Sequence, residues 1–543
     1  MNRGGWMVNL KKRGVLLLLP LLGLLFVLGC GGGGGGANTH DSISSQAVGS
    51  TIGSLNVGSV AKIDFAGNDH VDVSFQQLSG KEQFILSFDS AAKTVSNFSV
   101  SVQGALGVPP GPRNAIATSL PLLNGKDPEG GQDATAEFHE FLRELESALP
   151  PLSNPGRSSI ASQEALNPVI GSQVTLKVLN SLSSSTSFTT ITAEVRMITP
   201  HFIVYRDLNA AGVLSDEDLK SVLGNFDADL EYATFGNISD VDQNGRVGVV
   251  FSPVLNQIGG SGGIVTGFFF AGDLYPGQFP SSNGGEYIYC HVPDESGQWG
   301  IPVPKDFYLS NTGPLCAPHE LQHAISFNQK AFVNKTPTEP APFNEGQSHF
   351  AEDIMTRFVK ASKENPSRVK LYLDSPTTSF SGGISLTQRG GSYLFYRYLY
   401  EQAEVHRFSK VAGGMDLMLK LHQSALTGLE AVEDVTGESA ESLANDFFSA
   451  LYLSNTALNG DTRYNFSGIN LRSPQDDNRN TILSGPAIAP TSPFPLSLSI
   501  GSMSSSYTLI TGDQLLAAGS SIQLQAAAQM SPGAVLIRIE DKD

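Results

Sequence analysis

His319 and His323 stand four residues apart with Glu320 beside the first of them, in the stretch CAPHELQHAISFNQ of a chain that has only ten histidines. On a helix, side chains at i and i+4 project from one face, so two imidazoles can reach a single ion and the neighbouring carboxylate can reach a water held by it. Zinc suits such a set, because its catalytic sites use three protein ligands at about 2.0–2.2 Å and keep a fourth position open. Water in that position titrates near neutrality, and a carboxylate such as Glu320 can take its proton while the oxygen attacks a carbonyl. Two histidines do not make a site, so the third ligand decides the reading.

In the metzincin pattern a glycine and then a third histidine would follow, but Ser326 and Gln329 occupy those places, which excludes that class. The next cluster of donors lies in FNEGQSHFAEDIMTRF. Glu345 and Glu352 there are seven residues apart, two helical turns, and share a face, while His349 sits four residues after Glu345 as a rival ligand. This stretch resembles the second helix of the gluzincin metallopeptidases, in which Asn-Glu-Gly opens the helix. The resemblance makes Glu345 the third ligand, and Glu352 is placed to hydrogen-bond a ligand histidine.

The motifs HELQHAISFNQK and FNEGQSHFAED, preceded by DVDQNGRVGVVF and followed by GSYLFYRYLYEQ, are similar to the hyicolysin family of neutral zinc metallopeptidases over roughly residues 170 to 455. That resemblance implies an α+β, thermolysin-like body, one Zn2+ per chain and hydrolysis of peptide bonds, with Glu320 as base and then as acid toward the leaving amine. Peptidases of this class add a Tyr or His donor for the oxyanion. Tyr393, behind the glycine pair of RGGSYLFYRYLY, is the candidate, although Tyr393, Phe395, Tyr396 and Leu399 equally suit a helix face packed in a core. Relatives often place their Tyr slightly earlier, where this chain has Thr387 and Arg389.

Three further features carry chemistry. Asp240, Asp242 and Asn244 with Gly245 resemble the first half of a Ca2+ loop, but position twelve is Phe251, and an Asn-Gly turn accounts for the same residues. His139-Glu140 has Arg143 where a second ligand would fall, so that helix is not a second zinc helix. Cys290 and Cys316 remain as a pair once Cys30 is assigned to lipidation, and a disulfide between them would tie a strand to the zinc helix.

The elements that must position these groups follow from periodicity. Short alternating runs such as VDVSFQQL and EQFILSF predict a β domain with a Pro/Gly-rich linker over residues 47–165. Strands and then helical patterns predict the peptidase domain over 166–480, with Ser215 capping a helix that runs to Tyr232 and Pro318 opening the helix of HELQH. Runs such as SSYTLIT and AVLIRIED predict a separate C-terminal β module over 481–543. Residues 1–29 read as a signal peptide, with Arg3, Lys11, Lys12 and Arg13 ahead of an apolar run. Val27-Leu28-Gly29-Cys30 resembles the lipobox of bacterial lipoproteins, and residues 30–46, rich in glycine, read as a tether. The expected location is the bacterial cell envelope, outer membrane or surface, with the membrane reached through Cys30. A net charge of -18 argues against nucleic acid, leaving a peptide or protein substrate. The alternative is a catalytically inactive surface lipoprotein, a binding or adhesion module that keeps a metallopeptidase body.

Overall fold

Valine and phenylalanine alternate with polar residues in HVDVSF, and the period of two turns Val71, Val73 and Phe75 to one face of a strand. The computed structural model describes residues 50–104, 134–150, 168–224, 226–260, 262–355, 363–477 and 479–541. Cys30, the signal peptide and the whole tether lie outside the described residues. No helix among those described is long and apolar enough to cross a membrane.

The described residues open with β1 (Ser50–Ile52), β2 (Val60–Asp64), β3 (His70–Phe75), β4 (Glu82–Ser90) and β5 (Asn97–Gly104), followed by helix α1 (Ala134–Ala148). A six-stranded sheet comes next. It comprises β6 (Gln173–Leu179), β7 (Phe188–Ile198), β8 (Phe202–Asp207), β9 (Val247–Phe251), β10 (Gly267–Phe269) and β11 (Tyr287–Cys290), in the order β10-β11-β9-β8-β7-β6. Strands β8, β9 and β11 run parallel and β10 lies antiparallel to β11 at the edge. VGVVF of β9 is buried throughout, since Val247, Val249 and Phe251 face the helical core while Val250 faces a second core with Phe268 and Tyr289.

Helices α2 (Asp216–Leu223), α3 (Ala228–Phe235) and α4 (Val254–Ile258) are inserted between these strands. Ser215 caps α2 in a reciprocal pair with Asp218, but the helix stops at Gly224 and does not reach Tyr232. Asp227 caps α3 separately, so the single helix expected there is two.

The helical body follows as α5 (Gly313–Phe327), α6 (Ala341–Met355), α7 (Asn365–Asp374), α8 (Leu386–Glu404), α9 (Gly414–Gln423), α10 (Gly428–Thr436) and α11 (Ala440–Leu453). The chain ends with β12 (Ile488–Ala489), β13 (Leu496–Gly501), β14 (Ser504–Thr511), α12 (Gly512–Ala517), β15 (Ser521–Gln525) and β16 (Pro532–Asp541).

The first and last strands do not form separate modules. They interleave in two five-stranded sheets, β1-β3-β15-β5-β13 and β12-β14-β4-β16-β2. β15 pairs with both β3 and β5, and β16 pairs with both β2 and β4. The physical reason is edge pairing: β2, β3, β4 and β5 need neighbours for their backbone groups, and the C-terminal strands supply them. Phe65, Phe84, Leu86 and Phe88 meet Val100, Ile522 and Leu524 in the core between the sheets. The other face of the second sheet docks on the helical body, where Tyr507 donates to the carbonyl of Phe448 at 2.7 Å and Lys62 pairs with Asp446.

Deleting Pro532–Asp541 removes the common neighbour of β2 and β4. Hydrogen exchange of that variant is expected to show lost amide protection in both N-terminal strands; wild-type protection there would mean that they fold as an independent module.

Candidate metal centre

Helix α5 carries HELQH, and its start differs from expectation. The helix begins at Gly313 with Pro314 in its first turn, so Pro318 lies inside it and does not open it. Pro318 has no N–H for the carbonyl of Pro314 and its ring crowds that carbonyl, a defect tolerated close to the helix start, where the preceding turn at Tyr308–Thr312 is already wide. Cys290 at the end of β11 and Cys316 on α5 are joined in a disulfide with Cα atoms 6.0 Å apart, which fastens the helix to the sheet. β10 packs close to the same turn: a Cβ at Gly267 would stand 2.6 Å from Cys316 Sγ and 2.9 Å from Glu320 Oε1, so that strand position requires glycine.

Helix α6 crosses α5 and brings up Glu345. Gly346 lets α6 approach α8, because a Cβ there would lie 2.2 Å from Ser392 Oγ and 2.9 Å from the backbone of Ser392. His319 Nε2 and His323 Nε2 are 3.2 Å apart. Glu345 Oε2 is 3.6 Å from the first and Oε1 is 3.5 Å from the second. Both Glu345 oxygens are buried without a hydrogen-bond partner.

The far side of each ring is committed. His319 Nδ1 is 2.9 Å from Glu352 Oε1, and His323 Nδ1 is 3.2 Å from Asn344 Oδ1 and 3.1 Å from Ser348 Oγ, whose own proton goes to Gln322. Acceptors at both Nδ1 atoms keep the ring protons there and turn both Nε2 lone pairs toward Glu345. Two nitrogens and a carboxylate facing one another need a cation between them, a part that the proton held on His319 plays until a metal displaces it. Two ligands at zinc-bond length in a tetrahedron are separated by roughly 3.3 Å, close to the spacing of the two nitrogens. The donor set therefore fits a divalent metal of the zinc type.

Burial opposes the charge on His319, but Glu345 and Glu352 outweigh it and raise the imidazole to about 9. Burial, reinforced by Arg143, holds His323 well below its usual range. Glu345 stays far below the carboxylate range despite burial, through Arg389, His139 and His323. Burial pushes Glu320 up to about 7, against His319 and Arg143, and its Oε2 has no partner. That value suits a base working near neutral pH.

His349, the rival ligand, instead has its Nδ1 2.8 Å from Glu352 and groups with His319 and Glu352, not with Glu345. Tyr393 does not reach the centre. Its ring is fully buried, and its hydroxyl donates to Asp353 and accepts from Arg397 at 2.9 Å, so the core-facing reading of α8 is the one realised. The glycine pair ahead of it is a packing device, since a Cβ at Gly390 would lie 2.1 Å from the carbonyl of Arg368 on α7. A cleft lined by Asp353, Arg397 and Glu401 contains none of the three donors.

Arg389, one turn earlier on α8, does reach the centre, with Nη1 3.3 Å from Glu345 Oε2. In the 240–247 loop the Asn244 amide group donates to Asp242 and its Oδ1 accepts from the N–H of Arg246. Glu286, just ahead of the neighbouring strand β11, stands with Asp240 and Asp242, a partner that the local motif could not indicate. His139, set aside above, also lies at the centre, with Nδ1 3.6 Å from Glu345 Oε1.

No family model matches the chain. It is 25% identical over 211 residues to the neutral metalloprotease ShpI of Staphylococcus hyicus, an alignment that covers 36% of this chain and 44% of that protein. The chain thus spans less than half the length of that relative. The likeness and the buried His/Glu cluster together support a metal-dependent hydrolase.

Purified Glu345→Ala and His323→Ala proteins are expected to retain less than a tenth of the zinc of wild type, and His349→Ala to retain nearly all of it, by metal analysis. Because the metal must displace the proton that the carboxylates hold on His319, zinc affinity measured against a competing chelator should rise with pH up to about 9 and level off above it. Replacing both Cys290 and Cys316 by Ser should lower stability by about 3 kcal/mol in chemical denaturation, as expected for a crosslink closing a loop of this order.

Proposed function

We propose that the protein is a zinc metalloendopeptidase of the gluzincin type, with His319, His323 and Glu345 as the metal ligands. The observation that carries the reading is the pair of imidazole nitrogens 3.2 Å apart that faces a buried carboxylate without hydrogen-bond partners. A thermolysin-like body is supported by the arrangement of α5 against edge strand β10, with the next helix supplying the third donor. Kinship with the hyicolysin family is supported by the likeness to ShpI.

When bound, zinc supplies Lewis acidity toward a water and a peptide carbonyl. Glu320 takes the proton of that water at Oε2, and later returns it to the leaving amine; burial keeps its pKa matched to the task. Glu352 and Asn344 orient the two imidazoles. Arg389, whose Nη2 is buried without a partner, replaces Tyr393 as the donor to the oxyanion. The Cys290–Cys316 disulfide supports an oxidising, extracytoplasmic compartment, and the lipobox-like sequence at Cys30 supports anchoring there.

Cleavage of casein should stop with a chelator, return with added zinc, and fall about a hundredfold or more in Glu320→Gln while zinc content stays at the wild-type level. Equal rates for wild type and Glu320→Gln would mean that the centre is not hydrolytic.

A further inference from the structure

Helix α1 presents an unusual face to this centre. His139, Arg143 and Glu146 lie at i, i+4 and i+7, one stripe of the helix. Residues of these types ordinarily face water, yet here they are 4%, 4% and 2% exposed, while Glu137, Glu140 and Glu144 of the same helix are exposed. The buried stripe is turned onto the metal centre.

His139 Nδ1 is 3.6 Å from Glu345 Oε1, much as His319 and His323 are from the same carboxylate. The Nδ1 atom has no hydrogen-bond partner, and ligand atoms of His139, His323 and Glu345 all lie within 4.8 Å of one another. The ring also packs edge-on to His319, with centroids 6.4 Å apart. A buried, unpartnered imidazole nitrogen costs about 1–3 kcal/mol, and a shared cation removes that cost. Arg143 pairs with Glu146 at 2.8 Å and lies within electrostatic reach of Glu320. Phe138 packs edge-on against Phe268 of β10, with centroids 5.3 Å apart, so the helix lies against the edge strand nearest the centre.

We propose that His139 is a fourth protein ligand of the metal, and that α1 thereby closes the position needed by water and substrate, making this arrangement a latent form of the enzyme. The inference rests on the assignment of His319, His323 and Glu345 as ligands. Four protein donors are the signature of a closed site, whereas hydrolysis needs one position free. His139 contributes Nδ1 as a neutral donor, with its ring proton on Nε2. An arriving peptide must displace this nitrogen together with the helix that carries it, which lowers the apparent activity by the fraction of molecules that remain closed.

The test uses the full chain loaded with Co2+, whose visible spectrum reports the ligand set. Wild type is compared with His139→Ala and with His139→Gln, which fills the space without an imidazole. Both variants are expected to change the cobalt spectrum, to bind acetohydroxamate with a further spectral shift that wild type does not show, and to cleave casein about tenfold faster or more. Cobalt spectra and hydroxamate responses identical to those of wild type in both variants would overturn the role of His139 while leaving the three-ligand site intact. Failure of wild type and both variants to bind cobalt, with unchanged circular dichroism, would overturn the site itself and the latch with it.

Discussion

A carboxylate buried with no hydrogen-bond partner is the constraint around which the rest of this structure is arranged. Glu345 is 0% exposed, and taking such a charge out of water costs several kcal/mol unless opposite charge surrounds it. Arg389 from α8 and His319 from α5 supply that charge, while the rings of His323 and His139, kept neutral by burial, approach the carboxylate from α5 and α1. Every other feature of the centre either supplies that positive environment or fixes the angle from which it arrives.

The scaffold meets this demand with rigid attachments. The disulfide holds α5 to β11, Gly267 lets β10 approach Glu320, and Gly346 lets α6 lie against α8. Outside the first ring of donors, Glu352 and Asn344 each hold one imidazole by its Nδ1, so the direction of each Nε2 is set by hydrogen bonds as well as by packing. Glu352 also carries His349, which explains why the histidine nearest in sequence to Glu345 does not group with it. The charge that favours metal binding thus also fixes the protonation of its ligands.

The β-sandwich illustrates a different kind of economy. Five strands from the start of the chain and five from its end close one another's edges, and the resulting layer docks through Tyr507 and Lys62 on α11. The helical body and its six-stranded sheet are therefore an insertion between two halves of one sandwich. Helix α1, which reaches the metal centre, is the next described element in the chain after β5 of that layer.

Local information was sufficient for much of this. The i, i+4 histidines, the Glu345 and Glu352 face, the alternating strands and the Ser215 cap depend on residues a few positions apart, and spacing alone places them. The sequence was silent where distant segments meet. Tyr393 and Arg389 sit on the same helix four residues apart, and only the packing of α8 decides that the arginine faces Glu345 while the tyrosine faces Asp353. Glu286 joins Asp240 and Asp242 from just ahead of the neighbouring strand, and β15 and β16 complete sheets begun more than four hundred residues earlier. His139 has Arg143 at the i+4 position where a second ligand would fall, so its own helix does not mark it as one; its partners lie on α5 and α6. Residue types and spacing determined which chemistry was available, and tertiary packing decided which side chains share the centre, because a metal site is a meeting of helix faces whose rotation no short motif specifies.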